Sequence, residues 1–229
     1  DDRYEITLIK VDSPKLQTRK LVSGFENDWR LIDGVGDTLY FVTNKDAPRL
    51  RVVKTDVSAD EPKFTEVVPE SDAVVDGAMI VGNRLVISYL VDAKSQLSIF
   101  DLDGKALGAL DLPGPGQVGG LSGSIKSDEG FFTFQSFNRP TTVFRYDGTA
   151  APTIWAAPSL PFDPETVEVT QRFYESKDGT KVPMFLVHMK GQDLAKGAPT
   201  LLYGYGGFNI SVLPQYKPAW MAWIKAGGV

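Results

Sequence analysis

Leu39, Leu85 and Phe131 stand 46 residues apart in turn, and each sits in the same local setting, a polar turn followed by an apolar, β-branched or aromatic run. The three segments are Gly36-Asp-Thr-Leu-Tyr-Phe-Val-Thr43, Gly82-Asn-Arg-Leu-Val-Ile-Ser-Tyr89 and Ser127-Asp-Glu-Gly-Phe-Phe-Thr-Phe134. Across a polar gap each is followed by another strand candidate, at Leu50–Asp56, Leu97–Asp101 and Val143–Asp147. A further candidate comes after that, at Lys63–Val68, Ala106–Leu110 and Pro152–Trp155. Strand–turn–strand units at this period predict β-propeller blades, because a single unit cannot bury its apolar face and must stack on its neighbours.

The leading stretch Tyr4–Asp12 reads as the third strand of an earlier blade, since Asp12 precedes Asp56 by 44 residues. Three full blades and the outer part of another are therefore expected. A propeller typically closes with about four to eight blades, so this array by itself is expected to expose unpaired strand edges and to aggregate. A β-sandwich with strands recurring at a similar pitch is the bland alternative, and the two equal intervals argue against it. A WD-repeat interaction propeller is weaker still, because no Trp-Asp dipeptide closes any blade.

The pattern changes near residue 160. Pro152, Pro158, Pro161 and Pro164 interrupt strand and helix alike, as an interdomain linker would. The expected division is 1–159 for the blades and 160–229 for a second domain. Beyond it, Val167–Tyr174 and Val182–Met189 flank Lys177-Asp-Gly179, a turn signal that predicts a hairpin. The apolar run Pro199–Tyr203 then enters a glycine cluster. Pro218–Gly227 fits a short helix with proline at its first position, Trp220, Trp223 and Ile224 at helical spacing, and glycine after its end. The tryptophans are expected to face the core. Strand, glycine-rich loop and helix form an α/β layout.

Composition removes several classes of function. A net charge of −5 without clustered Lys and Arg argues against nucleic acid as a partner. No apolar run approaches the roughly 18 residues of a membrane helix, so no membrane partner is expected. With no cysteine, a thiolate nucleophile, a disulfide scaffold and Cys-ligated zinc are excluded. The chain starts inside a strand pattern without a leader and stops where a strand is expected after a Gly pair, so both ends read as interior to a longer protein.

Several motifs carry less than their spacing suggests. Gly114-Pro-Gly116-Gln-Val-Gly119 matches a dinucleotide fingerprint but lacks the strand before and the helix after, and reads as a blade connection. Asp101-Leu-Asp103-Gly104 lacks the later ligands of a calcium loop and reads as a turn. His188, the only histidine, is expected to pack within a strand. Asn209-Ile-Ser211 is a chance-level glycosylation sequon. No metal site is expected.

Leu201–Ser211 stands out. A buried strand runs into Gly204, Gly206 and Gly207, which permit left-handed torsions and close backbone approach, with Tyr205 and Phe208 held on the loop. Tyr203-Gly-Tyr-Gly-Gly-Phe-Asn-Ile-Ser211, together with Ser176-Lys-Asp-Gly-Thr-Lys-Val-Pro-Met-Phe-Leu-Val-His188, resembles the prolyl oligopeptidase family of serine peptidases. The likeness is strong over 167–229 and mostly architectural over the blades. It implies part of a seven-bladed β-propeller followed by the first strands of an α/β-hydrolase domain. It also implies cleavage of short peptides after proline by a Ser–Asp–His triad that lies wholly beyond Val229, so that this chain alone is expected to be inactive.

By the same resemblance, Tyr205 donates its hydroxyl to the oxyanion, Phe208 lines the proline pocket, and Gly204, Gly206 and Gly207 set the loop geometry. The oligopeptidase B and acylaminoacyl-peptidase branches differ here, so Gly207-Phe208-Asn209 points to the prolyl branch. Short proline-containing peptides are the implied partners, without a cofactor, in a monomeric parent that is cytoplasmic or, alternatively, periplasmic. The rival from another functional class is a stand-alone propeller interaction module with a short α/β tail. A Gly-x-Ser-x-Gly elbow downstream would distinguish the peptidase from the module.

Overall fold

The computed structural model describes residues 3–12, 15–148 and 151–229, and all of these but Asn209 with their side chains. A two-stranded sheet joins β1 (Ile6–Lys10) to β2 (Gln17–Val22), and three four-stranded sheets follow. The first is β3 (Trp29–Val35), β4 (Thr38–Thr43), β5 (Arg51–Asp56) and β6 (Thr65–Val68). The second is β7 (Val74–Val81), β8 (Arg84–Val91), β9 (Lys94–Asp101) and β10 (Ala106–Leu110). The third is β11 (Gln117–Ser122), β12 (Gly130–Gln135), β13 (Thr142–Tyr146) and β14 (Thr153–Ala156). Within each sheet every strand lies beside its neighbour in sequence, as propeller blades do.

The anchors Leu39, Leu85 and Phe131 fall in the second strand of their sheets. The first strands, β3, β7 and β11, escaped the sequence repeat because each contains residues that ordinarily signal a turn: Asp33-Gly34, Asp76-Gly77 and Gly119-Gly120. In β3 the register shifts between Leu31 and Asp33, just ahead of Asp33-Gly34, which pair regularly with Tyr40 and Leu39, and in β11 it shifts between Gly119 and Ser122, at Gly120. Such an irregularity inside a strand bends it without ending it. The expectation that Gly114–Gly119 is a blade connection therefore holds for Gly114 and Gly116, whereas Gly119 belongs to β11.

By compactness the chain divides into two units. One comprises Asp1–Tyr89, Ser98–Gly108 and Gly123–Glu129. Its core includes Trp29, Phe41 and Val53, with Phe64 packed on them and its ring centroid 4.6 Å from that of Trp29. In the same unit the Asp101 carboxylate accepts from the Asp103 and Lys105 amides at 3.0 and 2.8 Å, closing a turn. The Asp103 carboxylate instead pairs with Lys54 at 2.7 Å.

The other unit comprises Leu90–Leu97, Ala109–Ser122 and Gly130–Val229. Alternate residues of β12 and β13 are buried, the pattern of a half-covered strand, and Phe132 stacks on Phe144 with centroids 5.5 Å apart. Beyond the proline-rich stretch, β15 (Val167–Glu175) and β16 (Lys181–Met189) form the expected hairpin, in unbroken register from Val167 opposite Met189 to Glu175 opposite Lys181. At its turn the Asp178 carboxylate accepts from the Ser176 hydroxyl and the Thr180 amide, which hold its pKa down at about 2.

The predicted helix is α1 (Pro218–Lys225). Its buried residues are Met221 and Ile224, which meet Val167 of β15. The expected core-facing tryptophans are a correction: Trp220 is half-buried and Trp223 is exposed. The reason is local, for the Trp223 indole N–H donates to the Val229 carbonyl at 3.2 Å, and its ring occupies the space over Gly228.

Candidate active-site loop

The apolar run that precedes the glycine cluster is held by two backbone bonds. The Leu201 amide donates to the Val229 carbonyl at 2.8 Å, and the Val229 amide donates to the Pro199 carbonyl at 2.9 Å. Two bonds from one residue that bracket Thr200 make a rung of parallel β pairing. The segment around Thr200 thus runs beside Val229, with the loop and α1 between them in the chain. Leu201, Leu202 and Tyr203 nonetheless remain largely exposed, Leu202 at 84%.

At the end of this run Tyr203 packs on Trp220 with ring centroids 5.4 Å apart. The Lys217 ammonium lies against both rings, 4.1 Å from Trp220 and 4.9 Å from Tyr203. The exit of the apolar run is thereby tied to the first turn of α1. Nothing in the sequence pattern announced this cluster; only Pro218 at the helix start placed Lys217 just outside it.

The loop itself departs from the sequence expectation in its torsions. Gly204, Gly206 and Gly207 all lie outside the left-handed region, Gly206 at φ −160°, whereas Phe208 occupies it with φ 55° and ψ 29°. A residue with a Cβ pays roughly 1–2 kcal/mol for that conformation. The turn Gly207–Asn209 is a single 3-10 turn closed by the Ile210 amide on the Gly207 carbonyl at 3.1 Å. Phe208 gains no packing in return: its side chain is 92% exposed.

Tyr205 is half-exposed and borders a cleft of about 710 Å³ whose walls include Phe137, Phe185, Leu201, Tyr203 and Trp220. Its ring folds back over Gly207, where a Cβ would stand 2.9 Å from the phenolic oxygen. Gly204 and Gly206 have open space at the corresponding position. The cleft also receives Ala93 from the tip of the β8–β9 hairpin. That tip is fixed by Gln171, whose amide donates to the Asp92 carbonyl at 2.6 Å and whose oxygen accepts from Lys94 at 2.7 Å. Asp92 and Ala93 both have positive φ, 49° and 61°, as a two-residue hairpin turn demands.

His188 is buried within β16, its Nδ1–H donating to the Met189 carbonyl at 2.9 Å. The side chain of Asn209, on which the sequon depends, lies outside those described. What the loop can offer chemically is the phenolic O–H donor of Tyr205 and the exposed aromatic face of Phe208.

Comparisons with known proteins agree with the sheets and extend beyond them. Residues 2–156 match the family model described as the prolyl oligopeptidase N-terminal β-propeller domain. A prolyl endopeptidase of Elizabethkingia miricola is 35% identical over 91% of this chain, which spans 30% of that relative. The dual function macrocyclase-peptidase POPB of Amanita bisporigera is 33% identical over 94% of the chain, again 30% of the relative. A solved structure from a study of two prolyl endopeptidases superposes with a TM-score of 0.88 at 43% identity, covering all of this chain and 34% of that one. The chain thus spans about 30% of the length of the curated relatives it matches. Its four-stranded sheets, their order and the match over most of its length place the chain in the prolyl oligopeptidase family, in the N-terminal β-propeller domain over residues 2–156.

Proposed function

We propose that this chain is part of a serine peptidase that cleaves short peptides on the C-terminal side of proline. In this reading residues 1–159 are blades of a seven-bladed propeller and residues 160–229 open an α/β-hydrolase domain. The parallel rung at Thr200 and Val229 supports the second assignment, because parallel strands joined through a helix are the unit of that architecture. The exposed apolar run Leu201–Tyr203 suits a strand that is covered on both faces in the complete sheet.

Tyr205 would donate its hydroxyl to the developing oxyanion, and Phe208 would pack on the substrate proline ring. The blades would screen access to the site. The nucleophile and its His–Asp partners lie outside these residues. The observation that carries the proposal is Phe208, held in a left-handed conformation and 92% exposed three residues after Tyr205, in a chain that aligns with prolyl endopeptidases.

The test uses the full-length protein. It is expected to cleave a proline-containing chromogenic peptide, and an organophosphonate is expected to label a serine outside residues 1–229. Tyr205→Phe should lower kcat by about 10- to 10³-fold with KM nearly unchanged, since the lost donor serves the transition state more than the ground state. Absence of turnover, or a labelled serine within residues 1–229, would overturn the proposal.

A further inference from the structure

Gly207 differs from the other glycines of the loop in what surrounds it. Chain neighbours apart, no atom of the described residues comes within 4 Å of the positions a Cβ would take at Gly204 or Gly206. At Gly207 the three nearest such atoms all belong to Tyr205, with the phenolic oxygen at 2.9 Å, Cζ at 3.1 Å and Cε2 at 3.6 Å. The backbone of Gly207 lies outside the left-handed region, so its torsion sets no requirement for glycine. What glycine supplies there is empty space, and the Tyr205 ring occupies it.

We infer that Gly207 is a positioning residue that fixes where the Tyr205 hydroxyl points, by omitting the one carbon that would displace it. The inference rests on the proposed role of Tyr205 in binding the oxyanion. An added methyl group must gain roughly 0.5 Å to reach ordinary van der Waals separation, and the atoms in its way are the far end of a half-exposed side chain. The ring can yield at little cost to the fold. The hydroxyl cannot yield without leaving its place, and a misplacement on the order of 1 Å can cost about 10²-fold in rate.

The expected signature of Gly207→Ala in the full-length protein therefore separates function from stability. Tm should be unchanged or slightly raised, as a compatible Gly→Ala change restricts the unfolded chain. Meanwhile kcat on a proline-containing chromogenic peptide should fall by about tenfold or more with KM nearly constant. The double variant Gly207→Ala/Tyr205→Phe should match Tyr205→Phe alone within about twofold, because the methyl group then has no hydroxyl to displace. An unchanged kcat in Gly207→Ala, while Tyr205→Phe still loses activity, overturns the inference and leaves the role of Tyr205 standing. So does a multiplicative loss in the double variant, which would assign Gly207 an effect on the loop independent of the hydroxyl. An unchanged kcat in Tyr205→Phe itself overturns the underlying role of Tyr205, so the two failures are distinct.

Discussion

Lys217 and Trp220 meet with the ammonium nitrogen 4.1 Å from the centre of the indole ring, inside the range of a cation–π interaction. Because Tyr203 flanks the same ammonium at 4.9 Å, one lysine joins the end of the apolar run to the start of α1. Replacing it by methionine keeps the aliphatic stem and removes the charge. Lys217→Met in the full-length protein is expected to cost about 0.5–2 kcal/mol of local stability. Hydrogen exchange at the Leu201 and Val229 amides, which hold this strand, is the measurement, and Lys217→Arg should restore most of the protection. Equal exchange in Lys217→Met and the parent would remove the stack from the account of the loop.

Phe208 buries almost nothing against the described residues, and its truncation should therefore spare their packing. Phe208→Ala is expected to change stability by less than about 0.5 kcal/mol, the usual scale for an exposed site. On prolyl peptides it should lower kcat/KM by the equivalent of about 1–3 kcal/mol, the scale of lost apolar contact in a specificity pocket. Steady-state kinetics beside a thermal melt decide the matter, and an unaltered kcat/KM takes Phe208 out of the substrate pocket.

Gly104 is required both by torsion and by space. Its φ is 89°, and a Cβ there would stand 1.8 Å from the Val67 carbonyl oxygen, a backbone atom that cannot swing away. Gly36 shares a positive φ of 60° but has open space around it. Gly36→Ala is expected to cost about 1 kcal/mol, from the backbone alone. Gly104→Ala should cost more than about 2 kcal/mol. Denaturant midpoints of the two variants compare the terms directly, and equal losses would show that Val67 relaxes freely.

Asp178 sets a pH dependence for the β15–β16 turn. Bonds from the Ser176 hydroxyl and the Thr180 amide favour its charged form and hold its pKa at about 2, below the ordinary 3.8. A depressed carboxylate contributes stability that is complete above the unfolded pKa and is lost as pH falls through the folded one. The turn is thus expected to loosen between about pH 4 and pH 2. Protection of the Thr180 amide, followed across that range by NMR, should fall in the parent and stay flat in Asp178→Asn. Identical profiles would dissociate the turn from this carboxylate.

Local chemistry decided much of this protein before any folding is considered. The 46-residue recurrence of Leu39, Leu85 and Phe131, the prolines from 152 to 164, the turn at Lys177-Asp178-Gly179 and the helix opened by Pro218 each depend on a few consecutive residues and their intrinsic torsions. The aromatic glycine loop was legible for the same reason, as a run of unusual residue types. Tertiary structure alone decided what happens where distant residues meet. Asp33-Gly34, a pair of turn-type residues, sits paired inside β3, and Gly120 falls at a shift of register inside β11, because their neighbours in the sheet pair on either side of them. Within the loop, Phe208 and none of the glycines takes the left-handed torsion, which the residue types did not announce. Met221 takes the buried place in α1 because Val167 of β15 arrives against it. Periodicity records which face of an element is apolar, but close packing is set by the atoms that arrive from elsewhere in the chain, and the sequence of any one segment does not contain them.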